Sequence, residues 1–278
     1  MNFFNIIDQL AEVDPDVLGR LDSRRSIFSS LTSVAKKTAL ATTPALLASF
    51  FSKAYAGTTA GDPVEVFNYA LTLEQLEDDF YKKMIASPLF ITASAADQAA
   101  IRQIAKHETA HAALLTAVVR GIGGTPVSAT ANTFKASVFA TLPTFAAQLN
   151  IAQLLEDTGV RAYKGRAGDL QGLADVTITG VGTINPLQAA LQIHSVEGRH
   201  AAHIRYMRGQ TPWINGDGNL DSENNYKGAI PESTFTQSGV NLTTQLPTMY
   251  TAKDAQASFD EILTKAEVLV LVGPVLGA

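Results

Sequence analysis

Cysteine is absent from the 278 residues, which removes disulfides, thiolate metal sites and cysteine nucleophiles together. Any metal ion must therefore be held by oxygen and nitrogen donors. Charge is also sparse, with 17% charged residues against 46% apolar. That balance suits a folded chain with a substantial core and argues against disorder. The net charge of −5 offers no basic footprint for DNA or RNA, so nucleic acid is not expected as a partner. Long apolar runs are missing too. The uncharged stretch from Thr38 to Ser52 is shorter than the roughly 20 residues that a membrane span requires, and no stable span is expected.

What is present divides the chain into three parts: an N-terminal extension over 1–57, a helical domain over 58–209 and a loop-rich C-terminal extension over 210–278. In the first part, Ser23-Arg24-Arg25-Ser26-Ile27-Phe28 resembles a twin-arginine export signal, and Ala54-Tyr55-Ala56 has the small-x-small form of a signal-peptidase site. This raises the expectation of export to the periplasm or cell exterior. Against it stand the acidic residues Asp8, Glu12, Asp14, Asp16 and Asp22 ahead of the arginines. The alternative is a cytoplasmic protein whose extension packs on the helical domain or on a partner chain.

From Asp62 onward the punctuation is that of helices. Asp62-Pro63-Val64-Glu65 offers an N-cap, a proline at the first helical position and a capping-box glutamate, predicting a helix to about Ala86. Ser94 starts a second that runs to Val119, before Gly121, Gly123 and Gly124. A looser crossing stretch over 125–142 follows. Pro143 opens a third helix to about Arg166, and Asn185-Pro186 a fourth to about Met207, ahead of Gly209. Between the third and fourth, the β-branched and glycine-rich run 176–184 predicts a small hairpin or extended loop. Beyond Gln210 the chain is rich in Gly, Asn, Pro, Ser and Thr. There Asn215, Asp217, Asn219 and Asp221 alternate as in a calcium loop, but Leu220 and Tyr226 occupy the positions where such a loop needs glycine and glutamate, so a solvated turn is expected. Short helices are expected over 258–263 and from Thr264 into Val268-Leu269-Val270-Leu271.

The second helix carries Glu108-x-x-His111 and the fourth Glu197-x-x-His200. An i, i+3 spacing puts carboxylate and imidazole on one helical face, a turn apart, where both reach one ion. Two such pairs supply half of a dinuclear site, and one glutamate from each remaining helix would complete it. Glu74 and Glu156 are the candidates, each followed seven residues later by a tyrosine, Tyr81 and Tyr163. Glutamates and tyrosines recur at a spacing of 82 residues and the Glu-x-x-His pairs at 89, the surplus of 7 falling at the predicted hairpin. A duplicated helix pair of this kind lets one ligand position predict another.

Four glutamates can offset two adjacent cations and two of them can bridge, while the imidazoles leave room for dioxygen or peroxide. The expected metal set is thus Glu74, Glu108, His111, Glu156, Glu197 and His200, holding two iron ions or two manganese ions. Tyr81 and Tyr163 stand beside it as candidate catalytic groups or as donors to its carboxylates and histidines. Core packing explains either tyrosine equally well. Glu77 is a weaker alternative to Glu74, since the matching position in the second half is Gly159. His194 is an alternative ligand. His107 and His203 suit surface or capping roles. Asp78 and Asp157 suit solvent or a supporting place behind the ligands, and Arg161, Arg199 and Arg205 are candidates to pair with surplus carboxylates.

In this order the motifs resemble the ferritin-like superfamily. The stretch Asn68-Tyr69-Ala70-Leu71-Thr72-Leu73-Glu74-Gln75-Leu76-Glu77-Asp78-Asp79-Phe80-Tyr81 is similar to its branch of desiccation-related proteins, as is the C-terminal run from Phe259 to Leu269. The resemblance implies an all-α four-helix bundle with a crossover connection and a di-iron, less often di-manganese, centre. Its relatives include ferroxidases, peroxidases, manganese catalases and proteins with no known reaction, so it leaves two functions open. One is an oxidoreductase acting on dioxygen or peroxide in stress protection or metal handling; the other is a structural or desiccation-protective protein without turnover. The long extensions and the hairpin speak against a 24-subunit iron-storage cage, and a homo-oligomer stays open.

Overall fold

Each of the four long helices begins on a side-chain cap, three of them at start signals the sequence offered and the third helix on Thr144 rather than on the expected Pro143, and each cap satisfies one of the amide groups a helix start leaves without a partner. Helix α1, Pro63–Ala86, is capped by Asp62, whose Oδ1 accepts from Val64 N at 3.0 Å. Helix α2, Ala95–Gly121, starts on Ser94, which accepts from Asp97 N at 3.0 Å. Thr144, accepting from Ala147 N at 3.0 Å, caps α3, Phe145–Arg166, and Pro143 lies just outside it. Asn185 caps α4, Pro186–Met207, through Gln188 N at 3.0 Å. Glu65 does not close a capping box on α1. Its carboxylate instead accepts from Arg166 at 2.6 Å and Lys265 at 2.5 Å.

These elements come from a computed structural model that describes residues 62–179, 182–214, 236–237, 240–245, 251, 254, 257–260 and 262–277. The export-like N-terminal segment and the calcium-like alternation at Asn215–Asp221 lie outside the described residues. Among the described residues no helix is long and apolar enough to cross a membrane.

The helices pack as two hairpins, α1 on α2 and α3 on α4. The crossing stretch between them holds a 3₁₀ turn at Ala129–Ala131 and a single helical turn at Ala136–Phe139. The β-rich run forms the antiparallel pair β1, Val176–Ile178, and β2, Gly182–Ile184, with Thr177 opposite Thr183. A second two-stranded pair joins Thr236–Gln237 to Val240–Asn241. Ile178 is buried against the far end of α1 and α2, so the surplus residues of the second half cap the bundle rather than enter it.

The apolar core falls into two clusters. One gathers Phe80, Met84, Phe90, Ile101, Phe134, Leu155 and Ile204 with Val268 and Val272. The other gathers Phe67, Leu71, Leu115, Val118, Leu170, Ile178 and Ile193. Between them the middle of each long helix contributes buried charged side chains, described below. Hydrophobic burial therefore clamps both ends of the bundle and leaves its centre to polar groups.

Of the two C-terminal helices expected, the second forms as α5, Lys265–Val272, with a capping box between Thr264 and Glu267. Residues 259–260 and 262–264 are not helical. Leu263 N instead donates to Arg161 O of α3 at 3.3 Å, so the segment lies directly on that helix. Gly165 makes this approach feasible: a Cβ there would sit 2.1 Å from the carbonyl oxygen of Leu263. Further on, the chain pairs with the crossing stretch through Lys135 N to Val275 O at 2.8 Å and Gly277 N to Thr133 O at 2.6 Å.

Alanine at an open helical site would gain about 1 kcal/mol over glycine, but at residue 165 the backbone clash outweighs that. Gly165→Ala is expected to lower stability by about 1–3 kcal/mol, measured by chemical denaturation. A variant as stable as the parent would show that the Leu263 contact contributes nothing.

Candidate metal centre

All six side chains singled out by the spacing meet at mid-bundle, and all six are buried. His111 Nδ1 is the focus of the first group: Glu74 Oε2 and Glu108 Oε2 lie 3.1 Å away and Glu197 Oε1 3.2 Å away. His200 Nδ1 is the focus of the second, with Glu108 Oε1 at 2.9 Å and Glu156 Oε2 at 3.1 Å. Donor atoms of Glu74, Glu108, His111 and Glu197 lie within 4.8 Å of one another, as do those of Glu108, Glu156, Glu197 and His200. Glu108 and Glu197 belong to both sets. Each therefore faces both histidines, with Glu74 and Glu156 at the outer ends.

Protein hydrogen bonding alone explains this convergence poorly. A single imidazole N–H cannot satisfy three carboxylate oxygens around it. Both oxygens of Glu197 are buried without a hydrogen-bond partner, at a cost of several kcal/mol each if left so. A shared cation removes both difficulties, since carboxylate oxygens and imidazole nitrogens are the donors that iron, manganese and zinc accept. These groups could hold metal ions.

The outer glutamates are anchored by an exchange between helices. Tyr81 of α1 donates to Glu156 Oε1 of α3 at 2.5 Å, and Tyr163 of α3 donates to Glu74 Oε1 of α1. The contacts cross because α1 and α3 run antiparallel, so the residue two turns after one glutamate faces the other glutamate. Burial and the neighbouring carboxylates push both phenols well above their usual pKa, which keeps them protonated as donors.

His107 occupies a place that the sequence did not reveal. Instead of facing solvent or capping a helix, its ring stacks on His200 with planes 8° apart, and its Nδ1 lies 2.9 Å from His200 Nε2. Its own Nε2 reaches the Gln103 amide at 2.7 Å. An Nε2–H of His200 donating to His107 would leave His200 Nδ1 free to face the carboxylates, the tautomer that a metal ligand needs. A quarter-turn offset from Glu108 gave no sign of this, because the contact is made across to α4.

The other candidates are placed elsewhere. His194 is half-buried and its Nδ1 lies 3.0 Å from the carbonyl oxygen of Val160, so it is not part of the cluster. His203 and Arg199 are exposed. Arg205 binds both oxygens of buried Asp157 at 2.6 Å, and Arg161 Nε lies 3.7 Å from Asp260 Oδ1. Asp78 accepts from Lys82 at 2.5 Å and from Thr109 at 2.6 Å. Glu77 is buried but stands outside both four-residue sets.

Metal-free, the cluster has a definite pH response. Burial pushes Glu74 up to about 7 and drives Glu77 and Glu197 well upward, helped by the surrounding carboxylates. Burial opposes the charged forms of His111 and His200, but the glutamates outweigh it and raise both to about 10. Glu108 is the exception, since hydrogen bonds from both histidines overcome burial and hold it near about 2. A group whose folded pKa lies above its unfolded value contributes fully below the unfolded value and loses that contribution as pH rises through the folded one. The window is about 4.5 to 7 for Glu74 and about 6.5 to 10 for the histidines, so both act in one direction; Glu108 acts oppositely, below about 4.5. The thermal midpoint of metal-free protein is expected to fall between about pH 5 and pH 8, and metal loading is expected to flatten or reverse the trend. A rise over that interval without metal would contradict this account.

No curated protein matches the chain. A family model described as a ferritin-like domain matches residues 62–210, which is more than half of the sequence and takes in all four long helices. With that match, the chain belongs to the ferritin-like domain family.

Proposed function

We propose that the mid-bundle cluster is a dinuclear metal centre, with iron as the first choice and manganese as the second, that reacts with dioxygen or peroxide in stress protection or metal handling. The observation that carries the proposal is the pair of overlapping donor sets, which share Glu108 and Glu197 and leave both oxygens of Glu197 without hydrogen-bond partners. A redox-active ion held there would supply electron exchange with the oxygen species.

The chain's own residues do the rest. Glu74 and Glu156 are fixed by Tyr163 and Tyr81, which limits their rotation and holds a proton at each phenol oxygen next to the carboxylates. His107 holds the His200 ring through stacking and the short nitrogen contact. The carboxylates are sealed from water, and such exposure as the site has runs past the edge of His111, 9% exposed. A small oxidant suits so narrow an access better than a bulky organic substrate.

Elemental analysis of purified, metal-reconstituted protein is expected to give two ions per chain, and Glu108→Ala and His200→Ala are expected to lose one or both. Unchanged metal content in both variants would remove the proposal. Tyr81→Phe strips the donor from Glu156 and is expected to weaken metal binding on the order of 10-fold and to slow peroxide consumption or iron oxidation. Turnover no faster than that of free metal in the loaded parent protein would instead favour a centre that only ties the four helices together.

A further inference from the structure

Glu77 is a fifth buried carboxylate at the centre of the bundle, beyond the six residues above. It lies one turn after Glu74 on α1, is 2% exposed, and its Oε2 has no hydrogen-bond partner. An isolated carboxylate in such a place is costly unless a cation or proton compensates it. The matching position in the second half of the chain is Gly159, in the interior of α3. Glycine in a helix interior costs about 0.5–1 kcal/mol relative to alanine, so its presence there calls for a spatial reason.

The reason lies in what surrounds it. A Cβ on Gly159 would sit 3.0 Å from Glu197 Oε2 and 3.5 Å from Glu77 Oε1. The missing side chain leaves a recess on which these two carboxylates converge. Glu197 belongs to both donor sets, yet neither of its oxygens receives a hydrogen bond. Glu77 is therefore beside the one shared ligand that is least satisfied by protein, and turning about its own side-chain bonds carries it over Gly159 toward that ligand.

We propose that Glu77 is a further metal ligand of this centre, entering beside Glu197 through the recess that Gly159 leaves open. The proposal rests on the dinuclear reading of the site. Its chemical consequence concerns the class of ion. Four carboxylates balance two divalent cations with neutral imidazoles, and a fifth adds negative charge and another hard oxygen donor. The set then favours oxygen-preferring ions that reach a higher charge over ions that stay divalent. Glu77 also makes the two halves of the site unequal, because the second half has no carboxylate to match it.

Two variants separate this from a merely buried acid. Glu77→Gln keeps the shape and removes the charge, and Gly159→Ala keeps the carboxylate and fills the recess. Metal-free full-length parent and variants would be titrated with cobalt(II), following stoichiometry, affinity and the visible absorption bands that report coordination. The parent is expected to bind two ions. Each variant is expected to bind one of the two on the order of 10-fold more weakly, with altered bands, while circular dichroism shows the helices intact. Parent-like affinity and bands in both variants would overturn the role of Glu77 and leave the dinuclear centre standing. A parent that binds no ion at all would overturn both.

Discussion

Five glutamates enclosed at the middle of a helix bundle set the terms for everything around them. Mutual repulsion and lost hydration both work against folding, and Arg161 and Arg205 point their charge toward Asp260 and Asp157 instead. The compensation found within the protein comes from two imidazoles and two phenols, and it is incomplete, as the orphaned oxygens of Glu77 and Glu197 show. The apolar clusters on either side supply the folding free energy that lets this layer exist. Stability is concentrated at the ends of the bundle, and chemistry at its middle.

Much of this architecture was legible because its determinants are local. Asp62, Ser94 and Asn185 act as caps whatever lies across the bundle. The Glu-x-x-His spacing fixes a helical face without reference to a partner, and the repeated 82-residue interval pointed to Glu74 and Glu156 by internal comparison. The hairpin followed from β-branched composition and a residue surplus.

What was not legible depends on distances between helices. The tyrosines were expected near the glutamates, but that each would bind the other half's carboxylate follows from the antiparallel course of α1 and α3. His107 reads as a surface residue until α4 brings His200 against it. Glu65 fits a capping box by spacing, yet the cations of Arg166 and Lys265 outcompete the backbone amide for it. The stretch before Thr264 has a helical look but lies non-helical on α3, where Gly165 admits a backbone contact that one sequence window cannot disclose.

The reciprocal tyrosine contacts tie the two copies of the motif into a single object. Separated, either helix pair would retain a glutamate lacking its phenol and a phenol lacking its glutamate, so neither is a smaller version of the whole. The copies have also diverged: where one supplies Glu77 and His107, the other has Gly159 and Val196 at the corresponding places. An inherited twofold pattern thus encloses two poles with unlike surroundings, and whatever occupies them meets different neighbours at each.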